Sequence, residues 1–212
     1  MSGHKQDPEK GPEKAELRGR IRAARRERHS ADADGRLRTL SGEVISHLVL
    51  SELNRLSPIT SASIVAVYVS TETEPNTAIL RADLRAKGVT VLIPRVAGES
   101  LEWCVDDERF PMTESRWGIP EPSGPAVGIG AAPLAMASAV VVPALAIDAN
   151  GIRLGQGGGF YDRTLGELDS TVRPLLIGLV HDDEFIDATP RETHDLQVDV
   201  IVTEKRTIAA VK

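Results

Sequence analysis

Aromatic residues make up only 3% of the 212 positions. That scarcity argues against a stacking platform for single-stranded nucleic acid, where successive bases lie on aromatic faces. Cysteine is all but absent: Cys104 stands alone, so no intramolecular disulfide can form and a reducing, cytoplasmic setting is expected. No run of about 18 apolar residues occurs, so no membrane span is expected. Residues 1–13 are polar throughout and read as a disordered lead, not as a secretory signal. Positive charge is not in excess, since the formal net charge is −6; a general nucleic-acid binder is therefore not expected. Neither an internal repeat nor a second domain boundary is visible. Residues 14–212 are expected to form one domain, working as a monomer and large enough to bury its own core.

What is present is an alternation of helical and strand patterns. Residues 14–28 read KAELRGRIRAARRER. Leu17, Ile21 and Ala24 form a narrow apolar stripe at helical spacing, while Lys14, Arg18, Ile21 and Arg25 fall along one side. Cations on that side could converge on a phosphate chain; the alternatives are a solvated charged face, or contact with an RNA backbone, for which no base-reading module is present. Ser30 is placed to cap a second helix whose apolar stripe is Leu37, Leu40, Val44 and Leu48, ending near Ser51. Residues 64–69 (IVAVYV) are a short strand of the buried parallel kind. They open into a polar loop, residues 70–77, with Thr77 as cap of a helix through Ile79, Leu80 and Leu84. Gly88 ends that helix, and residues 89–93 give the next strand. Further strands are expected at 101–105, around Val140, at 173–180 and up to Thr203, with 106–130 loop-rich. Within that loop region Trp117 reads, on structural grounds alone, as a core plug. The alternation predicts an α/β fold: an open, mostly parallel central sheet flanked by helices on both faces, a Rossmann-like three-layer sandwich. Ligands in such sheets sit beyond the carboxyl ends of the strands.

The most informative stretch is residues 151–163, GIRLGQGGGFYDR. Glycines at 155, 157, 158 and 159 stand between Arg153 and a Phe-Tyr-Asp-Arg run. An apolar segment, 139–147, precedes them, and a helix over 160–168 is expected to follow. A strand, a glycine turn and a helix start point backbone N–H groups at an anion. Glycine there permits positive φ and the approach of a ligand to bare backbone. Arg153 offers a charged fork to a phosphate, and Asp162 an oxygen ligand to magnesium. The stretch is not a P-loop, lacking the Gly-Lys-Ser/Thr ending. Nor is it the dinucleotide fingerprint, because Phe160 stands where the third glycine would fall.

Several segments together resemble the 5-formyltetrahydrofolate cyclo-ligase (5,10-methenyltetrahydrofolate synthetase) family. They are Lys14-x3-Arg18-x3-Arg22, Glu74-Pro75-Asn76-Thr77, Ile93-Pro94-Arg95, residues 117–122, residues 142–163 and residues 194–204. The resemblance implies an ATP- and Mg2+-dependent cyclisation of 5-formyltetrahydrofolate, in mono- or polyglutamylated form, to 5,10-methenyltetrahydrofolate through a phosphorylated formyl group. Carried over by position, Lys14 and Arg18 would hold ATP phosphates. Arg153, Leu154 and the stretch Gly155, Gln156, Gly157, Gly158, Gly159, Phe160 and Tyr161 would cradle the triphosphate, with Arg153 and Tyr161 catalytic and Asp162 on the metal. Glu74 would bond the pterin beside Val69, and Trp117, Gln156 and Phe160 would line the folate pocket. Asp195 and Asp199 are candidate second acids, and His194 a local hydrogen-bonding residue. Three positions depart from the family pattern: Asn76 where a second acid is frequent, Gln156 where larger aromatic or basic residues are common, and Phe160 in place of tyrosine. These departures leave room for ATP-dependent activation of another small amide or carboxylate, or for a non-catalytic folate- or RNA-binding protein.

Overall fold

Short runs of β-branched and aliphatic residues, buried on both faces, assemble the middle of a large sheet. The computed structural model describes residues 10–115, 118–168, 173–190 and 197–211. In chain order the elements are α1 (Lys10–Ala31), α2 (Arg36–Leu56), β1 (Ile64–Val67), α3 (Ala78–Ala86), β2 (Thr90–Ala97), β3 (Ser100–Val105), β4 (Met112–Glu114), β5 (Pro120–Pro122), β6 (Ala126–Ile129), β7 (Ala139–Pro143), β8 (Ala146–Asp148), β9 (Arg153–Leu154), α4 (Phe160–Gly166), β10 (Leu175–Leu179), β11 (Phe185–Ile186), β12 (Val200–Val202) and β13 (Thr207–Ala209).

The eight-stranded sheet has the order β13-β12-β10-β7-β1-β2-β3-β6. Strands β12, β10, β7, β1 and β2 are parallel, and β13, β3 and β6 join antiparallel at the edges. The chain lays β2 on one side of β1, then returns to place β7, β10 and β12 on the other. The connections therefore diverge between β1 and β7. In open α/β sheets such a switch point leaves a crevice at the carboxyl ends of the two strands.

Side chains alternate across the sheet with the strand period of two. Val65 and Val67 join Ile45, Val49 and Leu53 of α2 and Leu80 and Leu84 of α3 on one face. Ala66, Leu92, Val140 and Val142 meet Leu165 of α4, Trp103 and Ile147 on the other. A small sheet, β11-β8-β9, lies over this second face. Ile21 and Leu17 of α1 pack on it, against Leu145, Ala146 and Leu154. Among the described residues no helix is long and apolar enough to cross a membrane.

Several expected boundaries move. The first helix begins at Lys10, so residues 10–13 of the expected lead are helical, with Pro12 in the first turn where its missing N–H costs nothing. Ser30 lies inside α1; α2 has Gly35 at its N-cap, and Asp32 serves its first turn by accepting Leu37 N at 3.0 Å and Arg38 N at 2.8 Å. Of the expected stripe on α2, Leu48 packs against the core, but Leu37, Leu40 and Val44 are 65%, 55% and 42% exposed. The buried face carries Ile45, Val49 and Leu53 with Gly42, where a Cβ would lie 3.0 Å from Asn76 Nδ2 of the β1–α3 loop and that side chain would have to give way. The apolar segment 139–147 is not one strand. It turns after Pro143 and continues as β8 in the small sheet.

Candidate functional site

A cleft of ≈ 770 Å³ opens at the switch point, within the range of small-molecule sites. Tyr68 and Val69, beyond β1, and Pro143, ending β7, form its base; the glycine loop makes one wall, and Pro94, Val96 and residues 119–121 the other. Of the residues singled out from sequence, Val69, Glu74, Arg153, Gly155, Gln156, Gly158, Gly159, Phe160, Tyr161 and Asp162 all line it.

The loop leaves β9, which pairs antiparallel with β8; it does not run straight from a central strand as the sequence suggested. Gly157 has φ 107° and Gly159 φ 66°, conformations that side chains other than glycine resist. Leu154 contributes no side chain to the cleft. It is buried against α1, and its carbonyl is taken by Leu145 N at 2.8 Å.

Arg153 is 5% exposed. Its guanidinium donates to Pro143 O at 3.0 Å and to Asp162 Oδ1 at 2.6 Å, while its Nε has no partner among the described residues. The end of β7 and the first turn of α4 are therefore tied together by one cation. Tyr161 stands beside it, with the guanidinium carbon 5.9 Å from the ring centre, and its ring meets Trp103 edge to face at 6.4 Å. The Tyr161 hydroxyl is buried without a partner among the described residues. Burial first, and then the charge of Glu74, push its pKa well above the ordinary tyrosine value. The hydroxyl stays protonated and is available as a donor.

Glu74 is 9% exposed. Its Oε2 accepts Thr71 N at 2.9 Å and Thr71 Oγ1 at 3.0 Å. Arg38 of α2, which sequence reasoning passed over, holds the same loop by donating to Thr71 O at 2.9 Å, Glu72 O at 3.0 Å and Ser70 Oγ at 3.3 Å. No local pattern marks it, because the contact joins residues more than thirty positions apart. Thr77 does not cap α3 with its side chain; its hydroxyl donates to Tyr68 O at 2.8 Å. Asn76 does the capping, accepting Ala78 N at 3.0 Å. It is buried outside the cleft lining, so the exchange of acid for amide there concerns the helix start more than the ligand wall.

On α1 the basic side divides. Arg18 Nε donates to Gly155 O at 2.9 Å. Arg22, also missed as a site residue although it continues the four-residue spacing, reaches both the side chain and the carbonyl of Gln156 and lines the cleft. Lys14 is buried and outside the lining. Arg25 turns inward to Glu184, with Nε–Oε1 2.8 Å and Nη2–Oε2 2.7 Å, and to Ala144 O at 2.7 Å. It serves the fold, not a phosphate. Asp199 is likewise no metal ligand here: it precedes β12 at the amino edge of the sheet, paired with Arg173 at 2.6 Å and accepting Leu176 N at 2.9 Å. Trp117, His194 and Asp195 lie outside the described residues.

Fold and cleft define a doubly wound α/β protein with a glycine loop lining a cleft at the switch point. The chain belongs to the 5-formyltetrahydrofolate cyclo-ligase family, whose sequence model matches residues 10–204. It is 35% identical over 160 residues to the 5-formyltetrahydrofolate cyclo-ligase of Mycolicibacterium smegmatis, covering 72% of this chain and 79% of that protein. It is 30% identical over 152 residues to the enzyme of that name from Escherichia coli K12, covering 70% and 82%. The solved structure of Aquifex aeolicus 5,10-methenyltetrahydrofolate synthetase superposes with a TM-score of 0.69 at 28% identity over 92% of each chain.

Proposed function

We propose that this chain catalyses the ATP- and Mg2+-dependent cyclisation of 5-formyltetrahydrofolate to 5,10-methenyltetrahydrofolate, releasing ADP and phosphate. The observation that carries the reading is the convergence of the glycine loop, the Arg153–Asp162 pair and Glu74 on one cleft. The residues fit a triphosphate. The loop takes the positive φ values of a backbone cradle, and Arg153 Nε and the Tyr161 hydroxyl are buried donors without partners among the described residues. They also fit magnesium. Asp162 lines the cleft beside the loop and would offer one carboxylate to an ion held otherwise by phosphate oxygens and water. When bound, the ion would supply charge neutralisation at the phosphates.

The chemistry follows from the leaving group. The formyl oxygen is amide-like and leaves poorly. Its attack on the γ-phosphorus expels ADP and makes an imidate phosphate; N10 of the folate then adds to that carbon, and phosphate departs with the former formyl oxygen. Little covalent work falls to the protein, so positioning and charge stabilisation dominate. Loop amides and Arg153 would meet charge on the phosphates, Tyr161 would donate to an oxygen that gains charge, and Glu74 would accept from the pterin N–H groups. The apolar wall of Pro94, Val96 and Leu101 would cover the ring and exclude water.

The test mixes purified protein with 5-formyltetrahydrofolate, ATP and Mg2+ and follows the near-ultraviolet absorbance of the methenyl product. Growth that needs all three is the expected result. No absorbance change, with ATP still binding in a titration, would overturn the folate assignment.

A further inference from the structure

We propose that Arg22, together with Arg18, is a positioning residue that sets the orientation of two peptides in the glycine loop; this rests on the reading of that loop as the ATP cradle. Arg18 Nε donates to Gly155 O at 2.9 Å. Arg22 Nη2 donates to Gln156 O at 2.9 Å, and Arg22 Nε to Gln156 Oε1 at 3.1 Å. Two consecutive carbonyls are thus drawn toward α1. Both peptides are trans, and in a planar trans peptide C=O and N–H point in opposite directions. The amides of Gln156 and Gly157 are therefore turned away from α1, as a pair. Gly157 closes the arrangement: its φ of 107° reverses the chain, and its α-carbon lies against the Arg18 guanidinium, where a Cβ would sit 3.7 Å from Cζ.

Gln156 makes Arg22 specific to this loop. Its side-chain oxygen and its own carbonyl receive two N–H groups of one rigid fork, an arrangement that an ammonium on a flexible stem cannot reproduce. An apolar residue at 156 would leave only the carbonyl contact. The basic run on α1 thus acts through backbone: its arginines hold the loop whose amides meet the anion.

The experiment compares the full-length chain with Arg22→Ala and Arg22→Lys by amide resonances in the absence of nucleotide, then by ATP titration with Mg2+. Expected are shifted Gln156 and Gly157 amide resonances in both variants before any ligand is added. Expected too is an ATP Kd weakened about three- to tenfold, the worth of one or two hydrogen bonds. Unmoved resonances with Arg22→Lys binding ATP like the parent would mean direct charge contact with phosphate and would overturn the proposal; so would an unchanged ATP Kd in Arg22→Ala. Absence of turnover by the parent chain would count against the functional reading instead, and the resonance comparison reads the positioning role with no substrate present.

Discussion

Replacing Arg25 by methionine should destabilise the fold severely. Arg25 is 2% exposed and Glu184 3%, and the pair is bidentate, with a third bond from the same guanidinium to Ala144 O. Methionine keeps much of the apolar stem and removes the charge. A carboxylate would remain in the interior with two partners, His181 N at 3.0 Å and Arg28 Nη1 at 3.5 Å. Breaking a buried pair from one side costs about 3–5 kcal/mol, a large share of the 5–15 kcal/mol that holds a typical domain folded. For a chain of this length that corresponds to a fall in Tm of about 6–20 °C. Removing both charges with Arg25→Met and Glu184→Leu should recover part of the loss, leaving a deficit of about 1–3 kcal/mol for the bonds to His181 N and Ala144 O. Urea unfolding of the parent, the single variants and the double variant measures all terms. A loss under about 1 kcal/mol in Arg25→Met, or a double variant as damaged as the sum of the singles, would refute the reasoning.

Other consequences can be checked in the same way. Asp162→Asn keeps an acceptor for Arg153 but removes both the metal-binding charge and the counter-charge of a buried guanidinium, so turnover should fall at least about a hundredfold and Tm should fall as well; full activity would remove Asp162 from the site. Glu74→Gln should raise KM for the folate more than KM for ATP, and the opposite split would refute its role at the pterin. Burial, first, holds the His181 pKa below its ordinary value, against the pull of Glu184 and with help from Arg28 and Arg25. The folded state keeps His181 neutral, whereas the unfolded chain takes up a proton near pH 6.5. Stability should therefore be intact above that pH and decline as pH drops through it, and His181→Gln should flatten the decline in urea midpoints measured between neutral and mildly acid pH.

Much of the parallel core was legible because short β-branched runs such as 64–67 and 139–143 carry their burial in their composition. The glycine loop was legible because its residues are contiguous and each answers a local demand: positive φ at Gly157, a fork at Arg153, an acid at Asp162. What escaped was set by contacts distant in sequence. The buried face of α2 joins Ile45, Val49 and Leu53 with Gly42, which meets Asn76 far along the chain, a packing relation that a leucine count cannot register. Arg25 and Arg22 share one basic run, yet one is buried on Glu184 and the other holds the loop; the difference comes from what α1 packs against. Asp199 follows Gln197 and Val198 in a strand-like stretch, but it falls at the amino edge of the sheet, the end away from the cleft. Asn76 makes the bond to the helix start that Thr77 was expected to make, because the Thr77 hydroxyl is drawn to Tyr68 O.

The central claim is that the formyl oxygen is phosphorylated in the cleft between Glu74 and the glycine loop. The most direct measurement uses 5-formyltetrahydrofolate labelled with ¹⁸O in the formyl group, with ATP and Mg2+, followed by mass analysis of the released phosphate. One labelled oxygen per phosphate is expected for each methenyl product formed. Methenyl product with unlabelled phosphate and the label in water would contradict it.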